Sequence, residues 1–265
     1  MLKPPSFKSI PCYPITALVA VLAMVVFAPA WLFSAFIAVL TAWGLWEIGA
    51  MTNASVPERL ILIFAGGGTA AILLLGGATP WIAPAAVISL MLILVAQVGL
   101  GGGESVRRGW VFVLIGALWV GVLFPYFALL RNGAGGVPIV VLMLLLVVVS
   151  DSGAYFAGRW RGRIKLLPRV SPNKTVEGAI GGLAACVAAG IVLRGVLASQ
   201  WSLGSIVLLA AGIGVLAQLG DLAGSAFKRV AGVKDSGWIF PGHGGLLDRT
   251  CSLVFAAAFT YYYSR

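Results

Sequence analysis

The sequence predicts an all-α protein, a polytopic bundle of about nine transmembrane helices, and three observations carry that prediction. Hydrophobic residues make up 60% of the 265 positions, whereas only 10% are charged. The mean hydropathy is +1.04. So few charges are not enough to cover the surface of a soluble protein of this size. The apolar residues also occur in solid runs of helix-spanning length, without the alternation of a β-barrel.

Glycine, proline or charged residues bound each apolar run, and these bounds predict the helices in chain order. The predicted helices are 14–28, 30–50, 58–76, 80–100, 109–130, 136–157, 176–198, 203–227 and 248–264. Pro29 separates the first two, which we expect to form a tight hairpin; signal-peptide cleavage at Ala28-Pro29-Ala30 is the alternative. We divide the chain into N-terminal transmembrane helices (1–135, about five spans) and a C-terminal catalytic transmembrane region (136–265).

The basic residues predict the orientation in the membrane. The net charge is +10, but the lysines and arginines lie between apolar runs, as topology markers do, and form no nucleic-acid-binding module. With a cytoplasmic N-terminus, fifteen of the 18 fall inside, and only Arg131, Arg194 and Arg265 fall outside. We therefore expect both polar loops of the C-terminal half to face the cytoplasm. The three cysteines are far apart and indicate neither disulfides nor a metal site.

All four aspartates of the chain lie at position 151 or beyond. Asp151 and Tyr155, one helical turn apart, share a face that should point into the bundle. At the end of the helix predicted for 203–227, an amide, a carboxylate, a hydroxyl and an ammonium group follow one another along one face. This stripe consists of Gln218, Asp221, Ser225 and Lys228. Carboxylates inside a membrane need a partner or a function. Asp221 therefore either forms an interhelical salt bridge or belongs to a functional site.

The loop KDSGWIFPGHGGLLDRT (234–250) precedes the last predicted helix. Its glycines allow close approach of the backbone to a ligand. His243 is either a hydrogen-bonding loop residue or a phosphate contact. Asp248 either caps the last helix or joins Asp221 in holding Mg²⁺, which takes a few protein oxygens and shares the rest with phosphate.

The other polar loop, 158–178, is also suited to anions. Ser171-Pro172-Asn173-Lys174-Thr175 leads directly into a helix, whose free N–H groups with a lysine form a phosphate site. Alternatively, Asn173 or Thr175 simply caps that helix. The loop arginines bind phosphates or anionic lipid. Glu177 either complements the helix dipole or joins a metal site. Together the two loops predict a pocket open to the cytoplasm for phosphoryl or nucleotidyl transfer to a lipid head group.

Two motif groups resemble those of the phosphatidate cytidylyltransferases, also called CDP-diacylglycerol synthases. One is Ser225-x-x-Lys228-Arg229, Lys234-Asp235 and Pro241-Gly242-His243-Gly244-Gly245-x-x-Asp248-Arg249. The other joins Asp151-Ser152-Gly153-Ala154-Tyr155 and Gly158-Arg159 to Ser171-Pro172-Asn173-Lys174-Thr175-x-Glu177-Gly178. The likeness covers roughly 140 to 255. At Cys251 the chain departs from the pattern, since the family usually has an aspartate there.

The resemblance implies CMP transfer from CTP to phosphatidate, giving CDP-diacylglycerol and diphosphate in phospholipid biosynthesis. It implies Mg²⁺ on Asp221 and Asp248, a monovalent cation such as K⁺ beside it, and a homodimer in a bacterial inner membrane. Catalytic roles then fall to Asp221, Asp248, Lys228 and His243. Substrate binding falls to Asp151, Ser171, Asn173, Lys174, Thr175, Ser225, Arg229, Lys234, Asp235 and Arg249.

Other functions remain open at this stage. A CTP-dependent polyprenol kinase, or an enzyme acting on a prenyl-ether lipid phosphate, would share the nucleotide site. An ion or phosphate transporter is a different class, because acids inside a membrane often line ion paths. Transporters tend to place such features in both halves of the chain. Here every aspartate lies in the C-terminal half, which disfavours transport.

Overall fold

The computed structural model describes residues 13–237 and 244–265, apart from 53, 55, 57, 58, 65, 68–115 and 117. We number the helices and strands whose first and last residues are both described. The helices are α1 (Tyr13–Phe27), α2 (Ala30–Met51), α3 (Pro125–Arg131), α4 (Gly136–Arg161), α5 (Val176–Leu197), α6 (Leu203–Val230) and α7 (Leu247–Tyr263). The strands are β1 (Lys165–Leu167) and β2 (Ser171–Thr175).

The protein is a polytopic helical membrane protein, as the composition predicts. Four described helices are long and apolar enough to cross a bilayer, namely α2, α4, α5 and α6. Six of the predicted runs coincide with α1, α2 and α4 to α7 within a few residues. Of the remaining three, the run at 80–100 lies outside the described residues. The runs at 58–76 and 109–130 are described only in part, with helix at 59–64 and over Leu118–Arg131.

The segment between α4 and α5 adds one small exception to the all-α prediction. Strands β1 and β2 form an antiparallel hairpin in which Lys165 is opposite Thr175 and Leu167 is opposite Ser171. The hairpin is tied to α5, because the Ile164 amide donates to the Glu177 carboxylate at 3.2 Å. The Val176 amide also donates to the Ile164 carbonyl at 2.9 Å. The hairpin therefore places β2 directly before the first turn of α5.

Glycines bring α4 and α5 into close contact. A Cβ added at Gly182 would lie 2.7 Å from the Ser150 carbonyl oxygen, and one at Gly178 would lie 2.8 Å from that of Ala154. Gly178 and Gly182 thus allow the two helices to pack closely. Gly220 and Gly224 do the same for α6 against Cys251 of α7. The bundle core around them contains fully buried Leu142, Met143, Leu146, Ile206, Leu209 and Ile213.

The two ends of the bundle have different contacts. At one end, Arg131 donates through Nε to the Val25 carbonyl at 3.1 Å and through Nη2 to the Ala28 carbonyl. This ties the α1–α2 turn to the end of α3. Helix α4 runs from that end to the hairpin at the other. The C-terminal part of α2 also reaches the hairpin end, where Glu47 contacts the start of α7.

Candidate active site

A cavity of about 440 Å³ lies between α4, α5, α6 and β2 at the hairpin end. Three of these elements contribute polar side chains to its wall, whereas α5 contributes Gly178 and Ala179. Those from α4 are Asp151, Tyr155 and Arg159; those from β2 are Asn173, Lys174 and Thr175; those from α6 are Gln218 and Asp221. The cavity thus unites residues that are about 70 positions apart in the sequence, counted from Asp151 to Asp221.

Lys174 and Asp221 form an ion pair across this cavity. The Lys174 Nζ lies 2.5 Å from the Asp221 Oδ2, and the two side chains are 27% and 46% exposed. Lys174 occupies this position because β2 ends at Thr175, whose hydroxyl accepts from the Gly178 amide at 3.1 Å and caps α5. The capping role expected of Asn173 or Thr175 thus belongs to Thr175. Asp221 also forms a salt bridge, but its partner Lys174 is on a strand and not, as expected, on another helix.

Asp151 and Tyr155 share the cavity wall, as their spacing on α4 predicts. The Tyr155 hydroxyl accepts a hydrogen bond from Arg159 Nη1 at 3.1 Å. Asp151 faces the cavity and is exposed there, instead of being packed in the apolar core of the bundle. Two carboxylates, a lysine and an arginine therefore surround one opening. Such a mixed set can bind phosphate oxygens together with a cation.

A second polar cluster, centred on Asp248, lies where α6 ends and α7 begins. Lys228 Nζ donates to Asp248 Oδ1. Asp248 Oδ2 accepts from the Ser236 and Gly245 amides, both at 2.8 Å, and lies 3.0 Å from the Ser236 hydroxyl. The Asp248 side chain is only 8% exposed. Asp248 thus fixes the loop before α7, and Leu246, not Asp248, occupies the N-cap position.

Helix α6 connects the two clusters. Asp221 and Lys228 are seven residues apart, a separation of about 10 Å along the helix axis, and half-buried Ser225 lies on the turn between them. The predicted stripe is therefore divided, with Gln218 and Asp221 in the cavity and Lys228 on Asp248. The Gln218 amide donates to the Ala179 carbonyl at 3.0 Å, which braces α6 against α5.

Most of the other predicted site residues lie around these clusters. Ser171 is half-buried at the start of β2, and Arg229, Lys234, Asp235 and Arg249 are exposed at the ends of α6 and α7 and in their connecting loop. His243 lies outside the described residues. Glu177, which the sequence assigns to the dipole or to a metal, supports the hairpin through Ile164.

Glu47 belongs to the Asp248 cluster and is not among the residues predicted from the sequence. It is 4% exposed. Its carboxylate accepts from the Leu246 and Leu247 amides at 2.8 and 3.0 Å, and lies 2.9 Å from the Ser236 hydroxyl. The signal was present: Glu47 is the only acid within the apolar run 30–50. A carboxylate in such a run indicates a partner or a function.

The donor sets of the two clusters differ in their suitability for a metal ion. Among the described residues, no three acidic, histidine or cysteine side chains converge. Mg²⁺ needs only one or two carboxylates when phosphate supplies the rest. Asp221 meets this requirement, since it is partly exposed in a cavity that Asp151 and Asn173 also line. Asp248 has four donor atoms on its oxygens, so it fits a metal only after Lys228 is released.

Comparisons with known proteins all lead to the same family. The sequence profile of the cytidylyltransferase family matches residues 13–265. The chain is 33% identical to a phosphatidate cytidylyltransferase of Staphylococcus haemolyticus over 252 residues, which are 91% of this chain and 95% of the relative. It is 40% identical to that of Bacillus subtilis over 57% of the chain and 56% of the relative. For that of Brucella suis the identity is 44% over 58% and 56%.

Proposed function

The chain belongs to the cytidylyltransferase family, and we infer from this that it is a nucleotidyltransferase that transfers CMP from CTP to phosphatidate. The products are CDP-diacylglycerol and diphosphate. A phosphatidate oxygen forms a bond to the α-phosphorus of CTP, and the bond from that phosphorus to the bridging oxygen of the β-phosphate breaks. The diphosphate carries away the electron pair of the broken bond. The reaction belongs to phospholipid biosynthesis.

The observation that supports this most directly is the Lys174–Asp221 cavity at one end of the bundle. A triphosphate requires cations and N–H donors, which Lys174, Arg159 and the first turn of α5 provide at the cavity wall. A lipid head group requires a site next to the bilayer, and α4 and α5 are membrane-length helices. We assign CTP binding to this cavity, with Ser171, Asn173, Thr175 and Asp151 among its contacts.

We assign the reacting phosphates to the region between the two clusters. Lys228 is held there on Asp248, and Arg229 and Ser225 are on the same helical segment. Positive groups placed where negative charge develops lower the barrier to phosphoryl transfer without a covalent intermediate. Lys234, Asp235, His243 and Arg249 follow as contacts from the loop and from the start of α7.

Asp221 and Asp248 are the residues that would hold Mg²⁺, with a monovalent cation such as K⁺ beside it. A bound magnesium ion neutralises charge on the triphosphate and polarises the phosphorus under attack. Because donors occupy the Asp248 oxygens, this assignment requires Lys228 to leave Asp248. Phosphate oxygens of CTP offer its ammonium an alternative partner.

We further propose that the protein is a homodimer in the bacterial cytoplasmic membrane, with the catalytic loops on the cytoplasmic side. The excess of basic residues at the hairpin end supports this orientation. Residues 1–135 would serve as supporting transmembrane helices, and 136–265 as the catalytic region. Both polar clusters draw most of their side chains from the second part.

The proposal is tested with detergent-purified protein, CTP, phosphatidate and Mg²⁺, with CDP-diacylglycerol detected by mass spectrometry. We expect product from the wild type and none from Asp221→Asn. The free energy of unfolding of Asp221→Asn should lie within about 1 kcal/mol of the wild-type value, because its ion pair is partly solvent-exposed. Asp248→Asn should also abolish turnover, but lose about 3 kcal/mol of stability, because it breaks a buried ion pair.

Substrate controls separate the competing activities. ATP or UTP in place of CTP tests the nucleotide, and polyprenol or a prenyl-ether lipid phosphate in place of phosphatidate tests the acceptor. A folded wild type that makes no CDP-diacylglycerol but phosphorylates polyprenol would refute the proposed reaction. Normal turnover by Asp221→Asn would refute its role at the metal.

A further inference from the structure

Glu47 is a buried carboxylate on α2, about 190 positions before the residues it contacts. Burial of an ionised carboxylate without partners costs several kcal/mol. Four donors surround this one. Trp43, one turn earlier on α2, donates from Nε1 at 3.2 Å, and the other three donors belong to Ser236, Leu246 and Leu247. Most of its stabilisation therefore comes from the segment that leads into α7.

That segment is shaped to fit the Glu47 side chain. A Cβ added at Gly237 would lie 2.8 Å from Glu47 Oε1. One added at Gly245 would lie 2.5 Å from Oε1 and 2.6 Å from Oε2. All three distances are shorter than a Cβ contact allows, so a side chain at either position would require the Glu47 carboxylate to move away from its donors. The two ends of the loop, Ser236–Gly237 and Gly245–Leu246, thus enclose the carboxylate.

Glu47 also satisfies the N-terminus of α7. The first N–H groups of a helix have no partner within the helix. The N-cap residue Leu246 cannot provide one, because its side chain has no hydrogen-bond acceptor. Glu47 accepts from the amides of Leu246 and Leu247. Its negative charge also complements the helix dipole. Glu47 therefore determines where α7 begins, and Asp248 is the next residue in its first turn.

The Ser236 hydroxyl joins Glu47 to Asp248. It lies 2.9 Å from Glu47 Oε2 and 3.0 Å from Asp248 Oδ2, and it carries one proton for the two carboxylates. Asp248 Oδ2 already accepts from the Ser236 and Gly245 amides. The contacts thus run from Glu47 through Ser236 to Asp248 and on to Lys228.

We propose that Glu47 is a positioning residue for the reaction: it holds the start of α7, and through Ser236 it sets the position of the Asp248 carboxylate. This inference rests on the proposed function of Asp248 in catalysis. Among the described residues, Glu47 itself contacts no group assigned to substrate or metal. Its role implies that α2, from the N-terminal region, forms part of the active-site support.

The test compares Glu47→Gln with Thr41→Val in the full-length protein. The side chain of glutamine has only one acceptor oxygen. Its NH₂ group, itself a donor, would face a backbone N–H group of Leu246 or Leu247 and could not accept from it. Thr41 is a matched control because it is a fully buried polar residue on α2, and among the described residues its hydroxyl donates only to the Ile37 carbonyl of its own helix. For Glu47→Gln we expect kcat to fall about 10- to 100-fold. KM for CTP should change by less than about twofold, because other elements form the Lys174 cavity. Thr41→Val should retain both constants.

Hydrogen exchange measured by mass spectrometry tests the positioning without any turnover. The amides of Gly245, Leu246 and Leu247 are bonded to the two carboxylates. In Glu47→Gln we expect their exchange to accelerate about tenfold or more, while that of 254–257 in the middle of α7 stays unchanged. Thr41→Val should exchange as the wild type does.

The inference is overturned if Glu47→Gln keeps the wild-type kcat, whether or not the exchange changes. It is also overturned if exchange at 245–247 is unaltered. If Glu47→Gln does not fold, Ser236→Ala removes only the bridge to Asp248, and wild-type kcat in that variant would be equally decisive against the inference. A wild type that makes no CDP-diacylglycerol would refute the proposed function instead, and the exchange result would still report on Glu47.

Discussion

The Cys251 thiol lies in the contact between α6 and α7, one turn beyond Asp248. It is 6% exposed, and its Sγ donates to the Leu247 carbonyl at 2.6 Å. A Cβ at Gly224 would lie 3.0 Å from the Cys251 Cβ, so this glycine makes room for the cysteine. The family pattern that the sequence resembles implies an aspartate at this position. The Cys251 thiol is a soft ligand, and it lies one turn from Asp248, where we propose a site for hard cations. Such cations bind thiols poorly.

We therefore expect Cys251→Asp to keep or raise the rate of CDP-diacylglycerol formation. Aspartate is close to cysteine in size, and a charge at position 251 would interact electrostatically with Lys228 as well as with Asp221 and Asp248. The check is kcat at several Mg²⁺ concentrations for the wild type, Cys251→Asp and the volume control Cys251→Ala. A large loss in Cys251→Asp, with Cys251→Ala active, would mean that the site has rearranged around the cysteine.

At the scale of elements, the α4–α5 contact positions the cavity, because α4 carries Asp151 and α5 follows Lys174 directly. The helices meet backbone to backbone at Gly153 and Gly182. Small residues allow this approach, which in a bilayer replaces the hydrophobic effect as a source of helix association. An added methyl group in this contact would separate the two walls of the cavity.

Gly182→Ala should reduce both thermal stability and turnover, because its Cβ would lie 2.7 Å from the Ser150 carbonyl oxygen, which is backbone and cannot turn away. The matched control is Gly195→Ala on the same helix, where a Cβ meets no atom within 4 Å. That control should be neutral or gain up to about 1 kcal/mol from helix propensity. Equal melting temperatures and rates for the two variants would contradict the packing argument.

The sequence predicts some of these elements much better than others, for physical reasons. Solid apolar runs locate α2 and α4 to α6, because a lipid environment leaves few alternatives to a helix. The hairpin was missed because β1 has three residues and carries no period-two pattern. Glu47 is visible in the sequence as the only acid of the run 30–50, but its role was missed because its partners come from a loop about 190 positions later. Its contacts are tertiary, so only the fold reveals them.

At the scale of the whole molecule, the contacts define two ends of the bundle, and the basic residues are concentrated at one of them. Arg131 joins the α1–α2 turn to the end of α3, and the Tyr263 hydroxyl donates to the Ser205 carbonyl at the start of α6 at 3.0 Å. These contacts lie at one end. The hairpin, the end of α6 and the start of α7 lie at the other, with most of the described lysines and arginines. A bundle sorted in this way should insert with its basic end in the cytoplasm.

Labelling with a membrane-impermeant maleimide tests this orientation in intact cells. Two single substitutions are placed in a Cys12→Ser background, in which Cys186 and Cys251 are buried. Ala134→Cys lies in the exposed turn before α4, and Leu167→Cys lies in the hairpin and is 45% exposed. We expect the cysteine at 134 to react in intact cells, and that at 167 only after the membrane is opened. The background chain should stay unlabelled. Because α4 separates the two positions by the thickness of a bilayer, the reverse pattern would place the cavity outside, where cytoplasmic CTP cannot reach it.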